Sequence, residues 1–372
     1  MKLGVSLYSY QQSRFLKELD LEAEIREVSE HLPVADGIEV VDEMSFRYPD
    51  PGEAFVKQWF KWMEQYGTVP VTMDVSMDVL QFRDHVMTYE ECAERLRHDI
   101  SLAKRLGFRN VRTLSVVPLE VMLLALPHAE ALDIRLGKEI HQPMPLDGKQ
   151  VTEIIEAIER TGTKHLGIVP DFGVFQIRPS EALLKSFERK GVRHEACAAA
   201  VDLAGQLGCG EAPFGFVDMS YVTAGNLRAD FKRYLVTGEC VPAFADAFNG
   251  IKRYADEHVK SPSQLEYTVV AEALMLSHTS PDLLRQLALH VISVHAKFYH
   301  MTPIQGREGE YEDIAFDYEG GIRALKQGGY QGYIDSEYEG QRFWQDQERE
   351  YWMSEVEQVR RHQEMLRRLT KA

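Results

Sequence analysis

Cysteine is scarce. The 372 residues hold four, Cys92, Cys197, Cys209 and Cys240, none in a C-x-x-C spacing, which excludes a disulfide framework and a zinc ribbon. Long apolar runs are missing too: the longest bare stretch, VMLLAL at residues 121–126, is far short of the roughly 20 residues needed to cross a bilayer, so membrane insertion is excluded. The opening MKLGVSLYSY has one lysine and then strand-like alternation, without the apolar centre and small-residue cleavage site of a secretory signal; a cytoplasmic location is the expectation. Positive charge is in deficit, with 42 Lys and Arg against 58 Asp and Glu for a net −16. Such a field repels a phosphate backbone, so no nucleic-acid partner is expected.

What is present is ordinary globular composition, 44% apolar and 27% charged, and a chain long enough for one large domain with an insertion. Eight β-rich runs can be counted: LGVSLYS from Leu3, GIEVVD from Gly37, VPVTMDV from Val69, VRTLSVV from Val111, LDIRLGKEIH from Leu132, HLGIVPDF from His165, VISVHAKFY from Val291 and GYIDSEYE from Gly332. Amphipathic helical patterns alternate with them. The clearest is VTEIIEAIERTG, where Val151, Ile154, Ile155 and Ile158 share one face and Gly162 supplies the stop. Similar patterns occupy 14–31, 53–66, 89–106 and 319–327, the last three ending at Gly67, Gly107 and Gly328. Strands alternating with helices in this number predict a (β/α)8 TIM barrel.

One interval breaks the rhythm. More than a hundred residues separate the sixth strand from the seventh, well beyond an ordinary connection. Residues 178–290 read as several helices divided by Gly- and Pro-containing turns, a helical insertion between strands 6 and 7 within a single domain of residues 1–372. It emerges at the active-site end of the barrel, which suits a lid or a partner-docking surface. Residues 345–372 read as a C-terminal helix, with Trp352, Val356, Val359, Leu366 and Leu369 on its packing side.

Catalytic groups of a parallel barrel sit at the carboxyl ends of its strands. There the fifth run carries Glu139 and His141, the sixth Asp171, the seventh His295 and Lys297, and the eighth Asp335, Glu337 and Glu339. Period-two alternation puts Glu139 with His141, His295 with Lys297, and Glu337 with Glu339 on common faces. Three carboxylates and an imidazole converging on one mouth repel unless a cation stands among them. Glu139, Asp171, His295 and Glu337 are therefore read as ligands of one divalent metal. The thiolate-free set suits manganese, magnesium, cobalt or iron.

The segments GIEVVD, KEIHQPMP, VPDFG, VHAKFY and FDYEGGIRALKQGGYQGYIDSEYEG resemble the xylose isomerase-like sugar isomerase/epimerase superfamily over the whole barrel. That resemblance implies the same four metal ligands. Within the superfamily, the E-x-H of KEIHQP, the VPDFGVFQ stretch, HAKFY and the long helical insertion are most similar to the catalytic α subunit of bacterial C-glycoside deglycosidases. It implies a small β-rich partner subunit and cleavage of the carbon–carbon bond between a 3-oxo sugar and an aromatic aglycone. The superfamily's endonuclease IV group, which needs histidines on early strands, fits poorly: strands two and three offer Glu39, Asp42 and Asp74 but no histidine.

A ketone acidifies the neighbouring carbon, and His141, sharing the metal-facing side with Glu139, is the expected base. Lys297 is expected to neutralise developing oxyanion charge. Water, His300 or a partner group would return a proton to the aglycone. Glu339, His300 and Tyr299 are the expected substrate contacts, with Tyr8, Phe172, Phe175 and Tyr338 as further stacking candidates. The alternatives are a metal-dependent ketose isomerase or epimerase and a non-catalytic sugar-binding scaffold.

Overall fold

The computed structural model describes residues 1–371; Ala372, the last residue of the expected C-terminal helix, lies outside the described residues. Among these residues eight parallel strands form one sheet: β1 (Lys2–Ser6), β2 (Ala35–Val41), β3 (Val69–Val75), β4 (Asn110–Thr113), β5 (Arg135–Ile140), β6 (Leu166–Pro170), β7 (Val294–Phe298) and β8 (Tyr333–Tyr338). Neighbours pair in sequence order from β1 to β6, while β8 pairs with both β1 and β7. Isolated bridges Ile168–Val291 and Asp171–His295 join β6 to β7 and close the ring at a narrow seam. The fold is the expected TIM barrel.

Several strands are shorter than their β-rich runs. In LDIRLGKEIH, Leu132 still belongs to the Leu119–Leu132 helix and Asp133 caps it with φ 54°, so β5 starts only at Arg135. The stretch expected as one helix over 14–31 is two. Lys17 turns the chain with φ 61°, and Asp20 then accepts the Ala23 N–H to start a new helix, Leu21–His31. Gly67 and Gly162, at φ 63° and 69°, stop their helices as expected.

Between β6 and β7 the chain runs through helices that include Glu181–Arg189, His194–Gly208, Ala224–Thr237, Ala245–His258 and Gln264–Ala271. Leu203, Phe231, Phe248, Ile251 and Val269 belong to a buried cluster of their own, separate from the barrel core. The final helix, Glu355–Lys371, packs across β1 and β8. Its buried His362 contacts Ser336 Oγ at 2.7 Å and Tyr318 Oη at 2.8 Å, and Gln363 Nε2 donates to the Gly4 carbonyl at 2.8 Å. Among the described residues, no helix is long and apolar enough to cross a membrane.

Candidate metal centre and active site

Strand pleating aims alternate residues into the barrel, and at the carboxyl ends these are acids, one imidazole and two cations. Glu139, Asp171, His295 and Glu337 are all buried. Glu139, Asp171 and His295 each offer a ligand atom within 4.8 Å of the others. Glu337 joins them with Oε1 at 3.4 Å from His295 Nδ1, the same separation as Glu139 Oε1. Among the described residues, His295 Nδ1 and Glu337 Oε2 have no hydrogen-bond partner. Buried polar atoms left in that state are costly, and a cation among them removes the cost. The residues present fit a divalent metal bound by oxygen and nitrogen.

His295 also has acidic neighbours on its other side, Glu39 Oε2 at 3.1 Å and Asp74 Oδ1 at 3.8 Å from Nε2. Here the protein supplies its own cation. Arg112, at the end of β4, forks onto Asp74 at 2.9 and 2.8 Å and reaches Glu139 Oε2 at 3.6 Å. Sequence reasoning missed Arg112; the signal was an arginine inside the strand run VRTLSVV, where a buried guanidinium needs a paired carboxylate.

Above this layer lies a cavity of about 230 Å³, lined by Tyr8, Glu139, His141, Lys297, Glu337 and Glu339 among others. Lys297 Nζ stands 2.9 Å from Asp171 Oδ2, 3.3 Å from Glu339 Oε2 and 2.5 Å from His141 Nε2. His141 Nδ1 is 2.7 Å from the Gln142 carbonyl, so Nδ1 carries the hydrogen and Nε2 keeps the lone pair toward Lys297. Arg342, also absent from the sequence reading, binds Glu339 Oε1 at 2.8 Å.

The remaining expected residues, Tyr8 excepted, stand apart from this group. Tyr299 faces a smaller neighbouring cavity with Gln142 and Arg228. His300 sets its ring against Trp344, 5.7 Å between centroids. Phe172, Phe175 and Tyr338 are buried packing residues of the barrel core, while Tyr8 does line the cavity beside Glu139 and His141. A larger cleft of about 760 Å³ opens between the rim at Pro143 and Pro145 and the loops of the insertion at Phe214, Met219 and Leu276.

Burial opposes every charge here, and the neighbours decide the outcome. Desolvation works against the Lys297 ammonium, but Asp171, Glu339 and Glu337 outweigh it and hold its pKa well above lysine's ordinary value. Burial likewise disfavours the Glu139 carboxylate, yet Arg112, His295 and His141 keep it well below the usual range. Glu337 is lowered too, His295 and Lys297 overcoming its burial. For Asp171 burial wins over Lys297 and His141, and its carboxyl rises to about 6.

No protein-family model matches the chain. Among curated proteins, it is 27% identical over 340 residues to the 3'-dehydrocarminate deglycosidase alpha subunit of a Microbacterium species, covering 91% of this chain and 88% of that protein. It is 26% identical to a C-glycoside deglycosidase alpha subunit of Arthrobacter globiformis, covering 92% and 86%. Among solved structures, L-ribulose 3-epimerase superposes with a TM-score of 0.52 at 12% identity, covering 100% of this chain and 95% of that one. The IOLI protein with a zinc atom gives 0.50 at 11% identity, covering 100% and 98%. These two share the barrel fold. Both comparisons agree with the resemblance read from the sequence.

Proposed function

We propose that the chain is the catalytic α subunit of a metal-dependent C-glycoside deglycosidase acting on 3-oxo-C-glycosides. The observation that carries this is the His141–Lys297 contact over the buried Glu139, Asp171, His295 and Glu337 group, in a chain similar over nine-tenths of its length to relatives named for that activity. The name of one of them, 3'-dehydrocarminate deglycosidase alpha subunit, supports a sugar bearing a ketone at carbon 3.

A divalent cation held by Glu139, Asp171, His295 and Glu337, manganese in our reading, supplies Lewis acidity toward the sugar ketone. The chain's own residues do the rest. His141 Nε2 takes the proton from the carbon beside the ketone, with the Gln142 carbonyl fixing the ring through Nδ1–H. The released electron pair stabilises as negative charge on the ketone oxygen, where Lys297, freed from His141, supplies a compensating positive charge. That pair then returns to form a carbon–carbon double bond within the sugar, and the bond to the aglycone breaks. The departing aromatic carbon takes a proton from water or a group of the partner. Glu339, clamped by Arg342, contacts the sugar hydroxyls.

The relatives are alpha subunits by name, which supports a partner subunit for this chain, small and β-rich in our reading. An apolar rim supports it as well: Leu80, Phe82 and Val86 are exposed in the loop after β3, whose Asp74 and Val75 border the catalytic cavity. Four free cysteines suit a cytoplasmic location.

The deciding experiment supplies the purified complex of this chain and its candidate partner with a 3-oxo C-glucoside and with a free 3-oxo sugar. Release of aglycone upholds the reading. Isomerised or epimerised free sugar with an intact C-glucoside replaces it with the isomerase alternative, and turnover unaffected by metal removal rejects a catalytic metal.

A further inference from the structure

The imidazole of His295 has two acidic sides, and they are unlike. On the Nδ1 side, Glu139 and Glu337 stand at 3.4 Å and Nδ1 lacks a hydrogen-bond partner among the described residues. On the Nε2 side, Glu39 Oε2 stands at 3.1 Å, within hydrogen-bond distance. The other acid there, Asp74, is 3.8 Å away and already gives both oxygens to Arg112. Glu39 is therefore the acceptor for Nε2, and it is free for that task, its other oxygen Oε1 lacking a hydrogen-bond partner among the described residues.

The fold makes this contact across the barrel interior. Glu39 sits on β2, His295 on β7, and β1 and β8 lie between them in the sheet. Both side chains are fully buried, so water does not compete for either nitrogen. A neutral imidazole carries one N–H. Placed on Nε2 it meets the Glu39 carboxylate, and the lone pair is left on Nδ1, facing Glu139 and Glu337. Placed on Nδ1 it would turn a lone pair onto a buried carboxylate at 3.1 Å, a repulsive arrangement.

We propose that Glu39 is a positioning residue of the metal centre: it accepts the Nε2 hydrogen of His295, fixing the tautomer and the ring angle that present Nδ1 to a cation. The inference rests on the metal reading above and deepens it. A carboxylate behind a ligating histidine typically contributes roughly 10- to 100-fold in metal affinity.

The test titrates metal-free protein with Mn²⁺ by calorimetry for the parent, Glu39→Ala and Glu39→Gln, with far-ultraviolet circular dichroism to confirm the barrel in each. Glutamine retains a carbonyl acceptor of the same reach. The expected result is one ion per parent chain, affinity weakened about 10- to 100-fold in Glu39→Ala, and a smaller loss in Glu39→Gln. Parental affinity in Glu39→Ala, or a loss that Glu39→Gln does not ease, overturns the proposal while leaving the metal site standing. A folded parent that takes up no divalent ion overturns the metal reading itself.

Discussion

Lys297 Nζ lies 2.5 Å from His141 Nε2, though 156 residues separate them in the chain. An ammonium can only donate, so the imidazole nitrogen that faces it must offer a lone pair. In the proposed mechanism that nitrogen is the base, and the ammonium that faces it is also the group placed to meet negative charge once the proton has moved.

That relationship predicts the behaviour of His141→Ala. Metal content and substrate binding should match the parent, while exchange of the hydrogen beside the ketone with deuterated solvent should slow by about 10²- to 10⁴-fold, the usual contribution of a positioned base. Exchange at the parental rate would reduce His141 to an orienting role.

Glu139→Ala and Glu337→Ala should each lose bound metal and nearly all turnover yet keep the barrel, because both residues line the mouth rather than the apolar core. Elemental analysis after dialysis, set beside a circular dichroism spectrum, reads both halves. Full occupancy in both variants would dismiss the proposed ligand set.

Metal affinity should fall as pH falls. In His295, Glu39 and Glu337 outweigh burial and hold the pKa well above 6.5, so a cation must displace a proton from it across the neutral range. Asp171, raised to about 6 by burial, adds a second proton below that pH. Competition titrations between pH 8 and pH 5 should therefore show affinity weakening throughout and more steeply below about 6. A flat profile would contradict the assignment of both ligands.

Asp313 accepts the backbone N–H groups of Tyr299 and His300 through Oδ2 at 2.8 and 3.0 Å, and that of Ala315 through Oδ1 at 3.0 Å. Asp313→Ala should strand three donors at the exit of β7, those of Tyr299 and Ala315 buried and that of His300 half-buried, and destabilise the protein by about 3 kcal/mol, since hydrogen bonds to a charged acceptor carry roughly 1.5–3 kcal/mol. Urea unfolding with and without the substitution measures it. A change below about 0.5 kcal/mol, the scale of neutral surface substitutions, would show that the loop finds other acceptors.

Hydrogen exchange of the chain with and without the candidate partner should show added protection in residues 178–290 or in the loop after β3. Both border the catalytic end, the first through Arg228 and Met275 beside Tyr299. Unchanged protection in both would remove the docking role from this end of the barrel.

The barrel was legible because its signals are local. Eight β-rich runs, amphipathic helices and stops such as Gly67 and Gly162 each act within a few residues. The break at Lys17 and Asp20 was not, since the left-handed turn there falls on a lysine, a residue that rarely adopts it. The gathering of Glu139, Asp171, His295 and Glu337 was legible from position, four polar residues at corresponding strand ends. Arg112 and Glu39 were not, because a charged side chain in a strand reads as solvated until its partner is known. Glu39's partner, His295, lies 256 residues away. The separate core of the inserted helices was hidden for the same reason: Leu203, Phe231 and Val269 declare their shared interior only when folded.

The pairing of β1 with β8 has a consequence for synthesis. The neighbour that covers the second edge of residues 2–6, Tyr333 to Ser336, leaves the ribosome some 330 residues after them. At ribosomal speeds of roughly 5–20 residues per second, that edge stays unpaired for tens of seconds while the rest of the chain is made. The acidic centre shares the delay, because Glu337 arrives on the same strand. Barrel closure and the gathering of the proposed ligands thus both wait for β8, and until it is made the nascent chain has no complete set of these side chains to offer a cation.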